Sequence, residues 1–448
     1  MGRGRSRQRA KGHRQPAGHT GQPHAHDRPR GGRALPAARR RAGGQQAEPP
    51  LLRGHGRLAR PSRLDTGGEC AITPVTELLS ELVRIDSVNP SLDPASRGEA
   101  EVAAFVARFM RGAGFHVEMP EDVPGRPSVV ARVGTPTPDR PALLLECHVD
   151  TVPLGSMRNG LRPRVRDGRL FGRGACDVKG GLAAMMTALA SRRDASKPLV
   201  FWATVDEEHD FGGVRALAER GIPALGAVVA EPTRLRPVIA HKGCLRVELQ
   251  TRGRAAHSAR PELGDNAVLH AMRLIDTLQR GFAQRFAGIA HPLCGPPLWS
   301  VTQIATTNPI NVIPDACRLG VDVRVTPGQD ADEILVWLDG ALAAAGVPVE
   351  KQLLRLKDYA LDTAPSAAVA RWALEVSRAV LGEDVAPEGA PFGTDASKIS
   401  VLAGVPAVVL GPGDITWAHT VEEHIALDEL ERGVAVYEGV IDRYLAEG

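Results

Sequence analysis

PLVFWATVDEEHDFGG, residues 198–213, decides the architecture. Its first eight residues, PLVFWATV (198–205), carry no charge and are rich in β-branched and aromatic side chains. That is the composition of a strand buried on both faces. Polarity then reverses at once: DEEHD (206–210) sets four carboxylates and an imidazole at the end of a core strand. Such a concentration of negative charge beside a core calls for a compensating cation.

The same arrangement recurs on either side. ALLLE (142–146) reads as a strand and is followed by His148; GAVVAE (226–231) reads as another and ends on Glu231. SVVARV (128–133) is a further strand, and KGGLAAMMTALASRR (179–193) is a helix between strands. Strands alternating with helices indicate an α/β domain with a mostly parallel sheet. In such sheets ligands bind outside the carboxyl ends of the strands, where three separate motifs place these side chains.

Order begins near Thr73, with a first helix in PVTELLSELVRIDSV. Ser96 and Glu99 have capping-box spacing for a second, whose stripe is Val102, Phe105, Val106 and Phe109. From Leu245 the pattern changes. CLRVELQT, NAVLHAMRLIDTLQR, WSVTQIAT, CRLGVDVRVT, ADEILVWLDGALAAAG and PVEKQLL follow in the order β-α-β-β-α-β, a ferredoxin-like α+β unit of about 110 residues. The first pattern then resumes in SAAVARWALEVSRAVL, PAVVLG and the terminal helix LDELERGVAVYEGVIDRYL. The expected division is a basic tail (1–70), a first catalytic part (71–244), an inserted unit (245–354) and a second catalytic part (355–448).

His148, Asp177, Glu208, Glu231 and His419 form the ligand set of a two-metal hydrolase. A carboxylate can hold one ion on each oxygen, so Asp177 is the natural bridge; His148 and Glu231 complete one metal, Glu208 and His419 the other. Mixed nitrogen and oxygen ligation suits two zinc ions, with cobalt or manganese as alternatives. Asp150 is placed to accept the second imidazole N–H of His148. Glu207 is the general base, taking a proton from the attacking water and passing it to the leaving amine. His257 (in GRAAHSARP) and Asn311 (in NPINVIPD) are candidate oxyanion donors, and Arg324 a candidate clamp for a substrate carboxylate. His209, His241 and His270 read as structural or solvent-facing.

Charge is unevenly spread. Residues 1–70 carry 16 Lys and Arg against 4 Asp and Glu, so a chain of net charge +3 has a body of net charge −9. The body therefore offers no basic surface for nucleic acid. The tail, low in complexity and rich in Arg, Gly, Pro and His, reads as disordered or as leader sequence ahead of a start near Cys70. No apolar run approaches the roughly 20 residues of a membrane span, so the reading is a cytoplasmic protein without a membrane partner. None of the six cysteines shows C-x-x-C spacing, which indicates free thiols; Cys147 and Cys176 read as small apolar filler.

ECHVDTVP, GRGACDVKGG, DEEHDFGG, AEPT, GRAAHSARP, NVIPD, FGTDAS and GPGDITWAHTVEEH, in this order over residues 73–446, resemble the acetylornithine deacetylase / succinyl-diaminopimelate desuccinylase / carboxypeptidase-type metallopeptidase family. The resemblance implies a two-zinc catalytic domain with an inserted lid through which a homodimer forms. It implies the same five ligands, Asp150 as orienting acid and Glu207 as base, and adds Thr394 of FGTDAS to the substrate contacts. In several members the histidine matching His257 reaches across the dimer. The implied activity is hydrolysis of an N-acyl amino acid, deacetylation first, with desuccinylase or dipeptidase/carboxypeptidase action on short peptides as alternatives and a non-catalytic metal-binding relative behind them. Departures are Cys147 in place of a usual Gly, TTNPI in place of a Gly pair, and His424 where an aromatic is common.

Overall fold

Four parallel strands, sealed on both faces, form the centre of the molecule. The computed structural model describes residues 73–447, so the expectations for residues 1–70 lie outside the described residues. In chain order the first segment comprises α1 (Pro74–Arg84), α2 (Ala100–Gly112), β1 (His116–Glu118), β2 (Val129–Val133), β3 (Ala142–His148), β4 (Arg164–Arg166), β5 (Arg169–Phe171), α3 (Lys179–Ala190), β6 (Leu199–Thr204), α4 (Gly212–Glu219), β7 (Ala224–Val229) and β8 (Val238–His241). The second comprises β9 (Gly243–Arg252), β10 (Ala256–His257), α5 (Ala267–Arg285), β11 (Leu298–Ala305), β12 (Val312–Ile313), β13 (Ala316–Val325), α6 (Ala331–Ala344) and β14 (Val349–Asp358). The third comprises β15 (Leu361–Asp362), α7 (Ala368–Leu381), β16 (Glu388–Ala390), α8 (Asp395–Leu402), β17 (Ala407–Val409), β18 (His424–Ala426) and α9 (Leu427–Ala446).

The large sheet runs β1-β2-β6-β3-β7-β17-β8-β15, with β16 beside β8. β6, β3, β7 and β17 are mutually parallel, while β1, β2, β8 and β15 pair antiparallel at the flanks. The sheet is therefore mixed around a parallel centre. Every residue of β3 and β6 is buried. Alternate side chains of β3 supply two cores: Leu143, Leu145 and Cys147 pack on one side with α1, α2, α3 and α9, and Ala142 and Leu144 on the other with α4 and α8. A charged side chain is buried at the start of α3. Lys179 is buried, and its ammonium donates to the carbonyls of Leu82 (3.0 Å) and Ile85 (2.8 Å), neutralising the negative end of α1.

The unit from β9 to β14 builds its own antiparallel sheet in the order β11-β13-β9-β14, the ferredoxin-like pattern. Its strands start at Gly243 and end at Asp358, a few residues outside the expected limits. Leu245, Val247 and Leu249 alternate toward α5 and α6 and form a separate core, while Arg246 and Glu248 take the opposite face.

The second helix corrects the sequence reading. It starts at Ala100, and no side chain caps it. Ser96 Oγ donates instead to the Val88 carbonyl at 2.8 Å, and the fully buried Glu99 carboxylate accepts from Arg126 Nε at 2.9 Å. A buried charge pair is a stronger claim on a carboxylate than a backbone N–H at a helix end.

Candidate active site

The sheet delivers side chains to one place because its parallel strands end together. His148 is the last residue of β3, Glu207 and Glu208 follow β6, and Glu231 follows β7. Asp177 lies two residues before α3, and the Asp177–Val178 peptide bond is cis. His419 arrives from the C-terminal segment. β18 pairs with β5, and the Glu423 carboxylate accepts the backbone N–H groups of Cys176 and Asp177, both at 3.1 Å. Those contacts fasten the His419 loop to the Asp177 loop.

The two oxygens of Asp177 face different imidazoles. Oδ1 is 3.3 Å from His148 Nε2 and Oδ2 is 3.2 Å from His419 Nε2. His419 Nε2 is also 3.2 Å from Glu208 Oε1, and His148 Nε2 is 3.9 Å from Glu231 Oε1. One atom each of His148, Asp177 and Glu208 lie within 4.8 Å of one another. The structure thus gathers all five residues picked out in the sequence.

These residues fit a metal pair. His148 Nε2 is buried and makes no hydrogen bond, despite lying near Asp177, so a donor atom is left aimed into the cluster. Nitrogen and carboxylate oxygen are the donor set of borderline divalent ions. Charge points the same way. Burial, then neighbouring carboxylates, push the acids of Glu231 and Glu207 well above the usual range. Burial pushes Asp177 up as well, but the two imidazoles outweigh it and hold this acid below that range. Asp177, then Glu208, raise His419 to about 10. Packing four acids around two imidazoles is costly without cations to offset it.

A cavity of about 320 Å³ opens onto the cluster. Asp177, Glu207, Glu208, Glu231 and His419 line one side of it, and Arg246 and Arg324 from β9 and β13 line another. Asp322 pairs with both guanidinium groups: it accepts from Arg246 Nε at 3.1 Å, and its other oxygen lies 2.8 Å from Arg324 Nε in an ion pair. Arg246 was not singled out in the sequence, although its alternation with Leu245 and Val247 matches that of Arg324 with Val323 and Val325.

Four expected contacts differ. His148 Nδ1 lies 3.0 Å from the backbone carbonyl of Asp150 and 3.6 Å from its carboxylate, because that carboxylate accepts from the Glu207 and Glu208 backbone N–H groups, each at 3.1 Å. Thr394 is buried; its hydroxyl accepts from Ala396 N at the start of α8 and lies 3.1 Å from His241 Nε2, so it does not reach the cavity. His257, in β10, and Asn311, just before β12, are exposed neighbours at a two-stranded ribbon that belongs to neither larger sheet, and neither lines this cavity. His241 and His270 are structural: each ring donates to or accepts from fixed local groups, and His270 also pairs with Asp265. His424 takes the role of an aromatic, stacking on Phe171 and Trp417.

Among the described residues all five cysteines are free. Burial pushes the Cys147 and Cys176 thiols well above their usual range, which agrees with their reading as filler. No described helix is long and apolar enough to cross a membrane.

Comparison with known proteins follows the same lines. Residues 144–443 match the sequence profile of peptidase family M20/M25/M40. An acetylornithine deacetylase from Myxococcus xanthus is 34% identical over 374 residues, which is 80% of this chain and 94% of that protein. The fold is similar to an M20 family metallo-carboxypeptidase, Sso-CP2 from Sulfolobus solfataricus, with a TM-score of 0.71 at 18% identity, covering 83% of this chain and 99% of that one. Human carnosine dipeptidase 1 gives 0.64 at 16% identity over 83% and 96%. A dinuclear metal binding peptidase from Bacillus subtilis gives 0.59 at 16% identity over 83% and 98%.

Proposed function

The chain belongs to peptidase family M20/M25/M40 and is a metal-dependent amide hydrolase, and from that premise we propose that it removes the acyl group of an N-acyl amino acid, an acetyl group first. The observation that carries the reading is the division of Asp177 between two imidazoles, 3.3 Å and 3.2 Å from its two oxygens. The curated relative at 34% identity favours deacetylation over peptidase action. Peptidase and dipeptidase folds among the structural relatives keep cleavage of short peptides as the second reading.

In this proposal His148, Asp177, Glu208, Glu231 and His419 would hold a pair of divalent ions, with His148 and Glu231 on one side of Asp177 and Glu208 and His419 on the other. Zinc suits the donor set, with cobalt or manganese as substitutes. When bound, the ions supply Lewis-acid polarisation of the amide carbonyl and a water of lowered pKa. Glu207 accepts the proton released as water adds to the carbonyl carbon. It then delivers that proton to the departing nitrogen, so the amide is cleaved to a carboxylate and an amine. Burial raises the Glu207 acid above the usual carboxylate range, which strengthens the ionised carboxylate as a base toward water. Asp150 orients His148 and the turn carrying Glu207 and Glu208. Arg324 takes the carboxylate of the amino acid.

The body folds as a catalytic part (71–244 with 355–448) and an inserted lid near 245–354, through which two copies pair. His257 and Asn311 then belong to the partner's cavity rather than their own, which agrees with their exposure here. Free cysteines agree with a cytoplasmic location. The test is to assay zinc-loaded protein against N-acetylornithine, N-succinyl-diaminopimelate and simple dipeptides. Cleavage of N-acetylornithine is expected to be fastest, and Glu207→Gln should keep its metal and lose turnover. Absence of hydrolysis in all three, or retained turnover in Glu207→Gln, would reject the assignment.

A further inference from the structure

We propose that Asn89 is a positioning residue for this hydrolysis: its side-chain amide ties the Asp150 carboxylate to the Asp206 carboxylate and so fixes the turn that presents Glu207 and Glu208. The inference rests on the roles proposed for those two glutamates.

Asn89 lies beyond the end of α1, far from both carboxylates in sequence, and is wholly buried. Its Nδ2 donates to Asp150 Oδ2 at 2.8 Å and to Asp206 Oδ1 at 3.1 Å, so both amide hydrogens are spent on acids. The rest of the residue is fixed. Its Oδ1 accepts from Ser91 N at 2.9 Å, its own N–H donates to Thr151 O at 2.9 Å, and its carbonyl accepts from Leu92 and Asp93. The amide is therefore a rigid clamp rather than a mobile side chain.

What it clamps leads straight to the chemistry. Asp150 Oδ1 accepts the N–H of Glu207 and Oδ2 that of Glu208, each at 3.1 Å. Asp206, one residue before the proposed base, has a φ of +71°, in the left-handed region that is uncommon outside glycine and that Asp enters more readily than most residues. Its side chain is held by two groups, Asn89 and Arg126 Nη1, the latter at 2.8 Å. Arg126 is itself anchored by Glu99. Two like charges thus flank the turn, and the Asn89 amide is the neutral link between them. Without it Asp150 loses a donor, the two carboxylates repel each other, and base and ligand drift together. Displacement of a reacting group by about 1 Å is enough to cost about a hundredfold in rate.

The experiment compares Asn89→Leu, of similar size but without donors, with Asn89→Gln, which keeps the amide. The probe is the best substrate of the three above. Per folded, zinc-loaded site, Asn89→Leu should lower kcat by about 10- to 100-fold with KM within about threefold, and Asn89→Gln should recover part of the loss. Hydrogen exchange gives a readout independent of turnover: the amides of Glu207 and Glu208 should exchange at least about tenfold faster in Asn89→Leu, with the α5–α6 unit unchanged. If Asn89→Leu does not fold, Asn89→Ser, which keeps one donor, takes its place with an intermediate kcat expected. A kcat within about twofold of the parent, unchanged exchange at 207–208, or a loss matched by lost metal or folded protein would overturn the inference. Failure of the parent to hydrolyse any probe, or survival of Glu207→Gln, would instead reject the underlying assignment.

Discussion

Replacing Lys398 by Met should destabilise the protein more than any surface change. Lys398 is fully buried in α8, and its Nζ lies 2.8 Å and 2.9 Å from the two oxygens of Asp358, itself 3% exposed. The ammonium also donates to Thr394 O at 3.0 Å and sits over the Phe211 ring. Removing it leaves a buried carboxylate with Tyr359 N as its near donor and Arg215 at 3.7 Å. Breaking a buried pair from one side costs about 3–5 kcal/mol, because the surviving charge keeps its desolvation penalty. A body of this size has an unfolding entropy of about 0.8 kcal/mol per kelvin, so the midpoint should fall by about 4–6 °C. Denaturant titration with matched metal loading measures the free energy. The double variant Lys398→Met with Asp358→Leu removes both charges, and should be at least about 1 kcal/mol more stable than Lys398→Met alone. A single-variant loss below about 1 kcal/mol, or strict additivity in the double, would refute the claim that the pair is desolvated.

Two further outcomes concern stability and geometry. Burial, aided by the Lys398 charge, depresses His241 to about 4 from an ordinary value of about 6.5. The folded state therefore binds this proton less readily than the unfolded state, so the contribution is complete above about pH 6.5 and is lost as pH falls toward 4. At about 1.4 kcal/mol per pKa unit the loss is about 3 kcal/mol, and His241→Gln should flatten that part of the stability curve; parallel curves would contradict it. Gly213 is the other case: a Cβ there would meet the backbone N and O of Val205 at 2.7 Å. Gly213→Ala should cost about 1–3 kcal/mol and reduce turnover by shifting the segment after β6, whereas an unchanged thermal midpoint would show that the backbone can yield.

Much of the site was legible because buried parallel strands write themselves plainly. A run such as PLVFWATV tolerates no charge, so the acids that follow it stand out, and His148 and Glu231 repeat the pattern. The ferredoxin-like unit was equally open, since its sheet has one covered face and alternates accordingly. β8, β15 and β16 were missed, as they are short and defined by pairing rather than by side-chain rhythm. Glu99 misled because capping-box spacing says nothing of an arginine 27 residues away. Thr394 misled for a related reason: its hydroxyl serves the start of its own helix. Glu423 sits within a quoted motif, yet nothing local distinguishes it from Glu422; only the fold brings it under the Asp177 amide.

The five clustered side chains come from the end of β3, from the loops after β6 and β7, from the turn before α3 and from beyond β17, spanning residues 148 to 419. No contiguous fragment short of that span contains them all. Capture of the ion pair is therefore a late event, open only to a chain already threaded to its final strands. A chain that stopped short of His419 would keep His148, Asp177 and Glu231 but lose the imidazole facing the second oxygen of Asp177, so retention of two ions rather than one would report that the segment beyond β17 had docked.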